Sequence, residues 1–177
     1  MKLIEARMNA IINSSKRLKK VLDKYGEAYF NLPPSISGKY HKREKNLKEH
    51  IERCLFFAFK LCEVFRPYNE SEILEAVILH DIGKVITMKK GKHEGGKYYP
   101  ATGYTYMDGT EDHGTEGARL LKEYGFPNSI CEMVRNHMSH WEGKTPTGLD
   151  EWIVAASDYL ASRDEIFIEE NPEEAND

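Results

Sequence analysis

Along most of this chain the apolar residues recur at spacings of three and four, the period of an amphipathic helix. The clearest stripe is Leu47, Ile51, Cys54, Leu55, Ala58, Leu61, Cys62 and Phe65, which predicts one helix ended by Pro67. A second helix is expected from Ser71, acting as its N-cap, to about Ile82, with Gly83 as its stop. Its stretch Ala76-Val77-Ile78-Leu79 is apolar all round, so this helix should be central and buried. An amphipathic N-terminal segment runs from about Ile4 to Tyr25 and is expected to stop at Gly26. The Pro/Ser/Gly-rich stretch from Leu32 to Gly38 is expected to be a loop. Helical texture returns from His113 to Tyr124 (closed by Gly125), from Pro127 to about His140, and from Leu149 to about Arg163. Between these sets, Lys84 to Asp112 is rich in glycine, tyrosine and lysine, a long loop with room for a short hairpin. The expected fold is all-α: a compact single-domain helical bundle with a long loop in its middle.

Length and composition narrow this picture. With 177 residues, 40% hydrophobic and 31% charged, the chain suits one globular domain with a well-buried core. No apolar run approaches the roughly 20 residues that span a bilayer, so no membrane partner is expected. Met1 to Arg7 lacks the uninterrupted apolar core of a signal peptide, and a cytoplasmic location is expected. The three cysteines, Cys54, Cys62 and Cys131, form no C-x-x-C pair and suggest no disulfide framework. Those on apolar helical positions should behave as small hydrophobes. Net charge is only −4, yet residues 1–60 carry 14 Lys/Arg against 6 Asp/Glu, and residues 98–177 carry 5 against 17. Such asymmetry is either two solvated surfaces or a basic face that draws phosphate-bearing ligands. The acidic stretch 165–177 is expected to fray, leaving 1–37 as a helical segment with connector and 38–164 as the functional domain.

Candidate chemistry lies where polar groups interrupt apolar helices. His80 and Asp81 follow Val77-Ile78-Leu79 directly, and a charged aspartate there is costly unless paired or bound to metal. His137 lies four residues after Met133, on the inward face of its helix. Asp158 follows Trp152-Ile153-Val154-Ala155-Ala156, His50 flanks the first stripe, and His113 opens a helix at a loop boundary. Each alone has a plain explanation, as a hydrogen-bonded core histidine, a helix cap or an ion-pair partner. Together they place one metal-capable residue in nearly every core helix, a repeated cost that packing alone does not require.

The segment Leu79-His80-Asp81-Ile82-Gly83-Lys84 resembles the signature of the HD-domain metal-dependent phosphohydrolases. The order His50, His80-Asp81, His113, His137, Asp158 is similar to that family's H…HD…H…H…D pattern, over roughly residues 38–163. Lys39-Tyr40-His41 with Asn46 to His50, and Asn136 to Trp141, resemble the KYH…GGL…H and HMG-x-W segments of HD-type 3′–5′ exoribonucleases and phage homologues. The paired glycines are missing and Ser139 stands where glycine is usual, and the GYP signature of cyclic-dinucleotide phosphodiesterases is absent. The resemblance implies a bundle of the HD type holding one or two divalent transition ions. His50, His80, Asp81 and Asp158 would hold the first, and His113 and His137 the second, with Asp81 bridging. Mixed imidazole and carboxylate donors favour Mn, Fe, Co, Ni or Zn. Asp81 and Lys84 are the expected catalytic residues; Lys84, His140 and Arg163 are the candidates for substrate contact. The expected reaction is hydrolysis of a phosphoester of a nucleotide or nucleic acid by metal-activated hydroxide, the partner being a phosphate-bearing small molecule or single-stranded nucleic acid. A small-molecule nucleotidase or dinucleotide hydrolase, and a non-catalytic metal-holding sensor, are the rival readings. Replacing Asp81 by Ala is expected to strip the metal and leave the fold intact or firmer.

Overall fold

The computed structural model describes residues 2–36, 41, 44–92, 102–138 and 145–163. The N-terminal segment is two helices, α1 (Lys2–Ser14) and α2 (Lys16–Asn31). They part at Ser15, whose hydroxyl accepts from the Leu18 amide and so caps α2. Gly26 does not stop α2, as the composition suggested. It is buried within the helix, where a side chain would meet Leu22 and Phe30 at ordinary contact distance. The Tyr29 hydroxyl donates 2.9 Å to the carbonyl of Ile78, tying α2 to the central helix.

The apolar stripe forms α3 (Leu47–Phe65), capped by Asn46 and closed by Arg66 in the left-handed region, just before Pro67. The next helix, α4, spans Glu70–Leu79 and begins after Asn69, so Ser71 lies inside it rather than capping it. From Ile73 to Leu79 every residue of α4 is buried. The sequence carried this helix to Ile82, but it ends at Leu79 and gives way to tight turns across His80–Gly83. A four-residue helix, α5 (Lys84–Thr87), leads into a two-stranded antiparallel hairpin, β1 (Met88–Lys90) with β2 (Tyr104–Tyr106). The rest is α6 (His113–Glu123), α7 (Asn128–Asn136) and α8 (Leu149–Ala161). Helix α7 ends at Asn136, short of the expected His140.

These helices bury one all-helical core, with α3 packed along α4 and α8, α4 against α7, and α6 against α7. Met8, Leu18, Val21 and Tyr29 of the first two helices join it. Among the described residues no helix is long and apolar enough to cross a membrane. His93, His140, Lys97, Tyr98, Tyr99 and the acidic stretch 165–177 lie outside the described residues.

Candidate metal centre

Four elements and two turns converge on one pocket of about 280 Å³, whose lining includes His50, Asp81, Lys84, His113 and Asp158. Packing of α3 on α8 sets His50 Nε2 3.0 Å from Asp158 Oδ1. The turn after α4 presents His80 and Asp81; α6 opens with His113, and His137 caps the end of α7. His113 Nε2 lies 3.0 Å and His137 Nε2 3.7 Å from Asp81 Oδ1, while His80 Nε2 lies 3.3 Å from Asp81 Oδ2 and 3.8 Å from Asp158 Oδ1. All six metal candidates from the sequence therefore surround one space.

The protonation pattern of these rings follows from their partners. His80 Nδ1 donates 2.7 Å to the Val77 carbonyl, and His137 Nδ1 donates 2.6 Å to the Val134 carbonyl. A carbonyl can only accept, so in the neutral rings the proton sits on Nδ1 and the Nε2 lone pair faces the carboxylates. The Nε2 atoms of His80, His113 and His137 are buried and make no hydrogen bond. The close approach of His113 to Asp81 is one of distance only, without the alignment a hydrogen bond needs. For His80 and His137, lone pairs of nitrogen and oxygen thus point at one another in a buried space, an arrangement that calls for a cation between them. The donor set fits a divalent transition ion.

Electrostatics agree with this geometry. Burial opposes a charge on Asp81, but Lys84, His80, His113 and His137 hold its carboxyl well below the usual range. Burial likewise opposes charge on Asp158, and His50 and His80 lower it. Desolvation pushes His113 down to about 4, so its ring is neutral near pH 7. Burial works against a charge on His50 also, yet Cys54, Glu44 and Asp158 around it raise the ring well above the ordinary histidine value.

Two neighbours were not singled out by the sequence. Glu44 sits in the loop before α3; its Oε1 lies 3.1 Å from His50 Nδ1 and its Oε2 2.6 Å from His41 Nδ1. It is held down to about 2, burial opposing and His50 and His41 prevailing. A carboxylate behind a ligating histidine orients the ring and raises its basicity. Cys54, one turn after His50 on α3, brings its sulfur 3.4 Å from His50 Nε2. Burial lifts its thiol to about 12.

The remaining candidates are placed differently. Lys84 begins α5 rather than projecting from a loop; its buried ammonium donates 2.6 Å to Asp81 Oδ2 and 2.7 Å to the Pro34 carbonyl. Arg163 follows Ser162, which lines the pocket, and lays its guanidinium 4.5 Å over the Tyr159 ring. His140 is among the residues not described. A comparison with protein-family models matches residues 47–163 to the HD domain. No curated protein and no solved structure matches the chain.

Proposed function

Because the chain belongs to the HD domain family, whose members form a metal-dependent phosphohydrolase superfamily, we propose that it hydrolyses a phosphoester of a nucleotide or nucleic acid. The observation that carries this reading is the convergence of three unpaired imidazole nitrogens and two carboxylates beside a buried lysine at an open pocket. His50, His80, Asp81 and Asp158 would hold one ion. His113 and His137 would hold a second, with Asp81 shared, since one of its oxygens faces His80 and the other faces His113 and His137. A divalent transition ion bound there supplies Lewis acidity, lowering the pKa of water and neutralising charge on a phosphoryl group.

The chain's own groups do the rest. Glu44 fixes the His50 ring, and the Val77 and Val134 carbonyls fix those of His80 and His137. The Lys84 ammonium is paired with Asp81; once that carboxylate serves an ion, the lysine is available to a non-bridging phosphate oxygen. Met88 and Tyr106 of the hairpin form a wall, where the tyrosine ring offers a stacking face to a base. Arg163, at the end of α8, and His140 complete the proposed substrate contacts. The pocket volume of about 280 Å³ sits at the small end of ligand sites, roughly 300–1,000 Å³. That favours one nucleotide unit at the metals, whether a free nucleotide or the end of a strand.

The test is metal analysis of the purified protein, then assays with Mn, Co, Ni or Zn on a chromogenic phosphodiester, nucleoside monophosphates and a single-stranded oligonucleotide. Turnover of at least one substrate is expected, abolished in His80→Ala. A metal-loaded protein inactive on the whole panel would leave the sensor reading in its place.

A further inference from the structure

Helix α3 carries a thiol on the same edge as its histidine. Cys54 is 1% exposed, and the ligand atoms of His50, Cys54, His80 and Asp158 all lie within 4.8 Å of one another. An apolar stripe accounts for a small residue at position 54, and here its sulfur lies 3.4 Å from Nε2 and 3.9 Å from Nδ1 of the His50 ring. An independent observation points to the same space. His80 is 1% exposed, its Nδ1 is committed to the Val77 carbonyl, and its Nε2 makes no hydrogen bond, lying 3.3 Å from Asp81 Oδ2 and 3.8 Å from Asp158 Oδ1. A buried lone pair with that outlook needs an electron-pair acceptor, and the thiol of Cys54 stands beside it.

We propose that Cys54 Sγ is a metal ligand of the first site, alongside His50, His80 and Asp158. This rests on the metal-centre reading above and deepens it. A thiolate then joins the two imidazoles and the carboxylates of Asp158 and Asp81, a donor set that suits zinc, cobalt or iron and disfavours manganese and magnesium. Asp81, shared as in that reading, faces His80 through one oxygen and His113 and His137 through the other. On binding, the S–H bond breaks, its proton passes to bulk water, a metal–sulfur bond forms, and no electron changes hands.

The experiment loads the full chain with Co(II) alone and records its absorption spectrum. A sulfur-to-cobalt charge-transfer band in the near ultraviolet is expected, lost in Cys54→Ser and kept in Cys62→Ser and Cys131→Ser. Competition with a chromogenic chelator should show Zn(II) affinity falling in Cys54→Ser by more than the roughly 10–100-fold that loss of an outer-shell partner costs. Mn(II) affinity should fall less. X-ray absorption on the zinc-loaded wild type needs no variant to fold, and a sulfur neighbour at about 2.3 Å is expected. Cobalt uptake with no charge-transfer band and no sulfur neighbour overturns the role of Cys54 and leaves the metal centre standing. A band that survives Cys54→Ser also overturns it. A wild type that takes up no ion at all overturns both readings.

Discussion

Asp81 shows how far a single residue's surroundings alter the expectation drawn from its position. At the end of an apolar helix it looks like an unpaired buried carboxylate whose removal should relieve the fold. In the structure it is the counter-ion of Lys84, itself buried, with three imidazoles around it. Removing one partner of a buried pair strands the other, a loss of about 3–5 kcal/mol. Asp81→Ala should therefore lower the urea-unfolding free energy of the metal-free protein by about that much, and adding Lys84→Met to the same chain should recover most of it. Equal stability of wild type and Asp81→Ala would show that the lysine finds full compensation at the Pro34 carbonyl. The acid response is also set by single residues. His113 falls from 6.5 to about 4 on folding, so its neutral state supports the fold fully above 6.5, and that support is lost as pH falls towards 4. Glu44 falls from 4.5 to about 2, so its contribution is present above 4.5 and lost on the way to 2. His50 is raised, so its contribution is present below its unfolded value of 6.5 and is lost as pH climbs through the raised one. Melting of the metal-free protein across pH should show both acid steps, and His113→Gln should flatten the upper one. His80, Asp81, His137 and Asp158 stood out as candidates because each interrupts an apolar pattern with a polar group, His50 because it flanks one, and His113 because it opens a helix at a loop boundary. Glu44 was not, since it lies in a loop with no period to interrupt. Cys54 was hidden for the opposite reason: the stripe already accounted for it.

Among elements, the turn between α4 and α5 does most to assemble the pocket. By sequence Gly83 suits a helix stop, the place where glycine usually supplies a left-handed conformation. Its φ is −62°, a value any residue adopts. What demands glycine is proximity: a β-carbon there would lie 1.9 Å from the His113 carbonyl oxygen and 2.6 Å from the Gly117 amide. Gly117 returns the fit, since a β-carbon on it would come within 3.1 Å of the Gly83 amide. This contact between backbones is what lets α6 deliver His113 to Asp81. Gly83→Ala should thus act as a site mutation without touching a ligand. Overpacking of a core costs about 1–3 kcal/mol where side chains can adjust, and here the obstacle is backbone. A loss at or above that range is expected in thermal or denaturant melts, with metal stoichiometry reduced because His113 is pushed out of reach. Wild-type stability and metal content in Gly83→Ala would show that α6 shifts freely. The helical period located α3, α6 and α8 well and found α4 without its ends, because burial sets that period. It missed the break at Ser15, where a cap interrupts two helices of continuous polarity, and it overran the end of α4, because turn residues that are themselves buried keep the apolar pattern going.

For the molecule as a whole, the open matter is what reaches the pocket, and charge and the hairpin bear on it together. The basic excess lies within residues 1–60, and Lys89 and Lys90 of β1, with Lys92 just past it, all exposed, follow Met88 of the pocket lining along the chain. Two parts of that segment are already engaged: Tyr106 and Met88 line the pocket, and Lys89 sits 3.7 Å from Asp108, just past β2. An exposed pair of that kind contributes little to stability, so the lysine can be given up without unfolding the hairpin. A strand whose terminal nucleotide enters the pocket would run its next phosphates past these lysines, and each neutralised phosphate of single-stranded nucleic acid contributes about −0.7 to the slope of log affinity against log salt. A small diester would sit at the metals and never meet them. The triple replacement of Lys89, Lys90 and Lys92 by alanine should therefore raise KM for a single-stranded oligonucleotide and flatten its salt dependence by roughly two units of slope, three contacts at that increment. Turnover of a chromogenic phosphodiester should stay within about twofold of wild type, since surface changes away from the site usually leave the fold within about 0.5 kcal/mol. Equal losses on both substrates would place the hairpin in the metal chemistry itself. No loss on either would assign the lysines to solvent and favour a free nucleotide as the substrate.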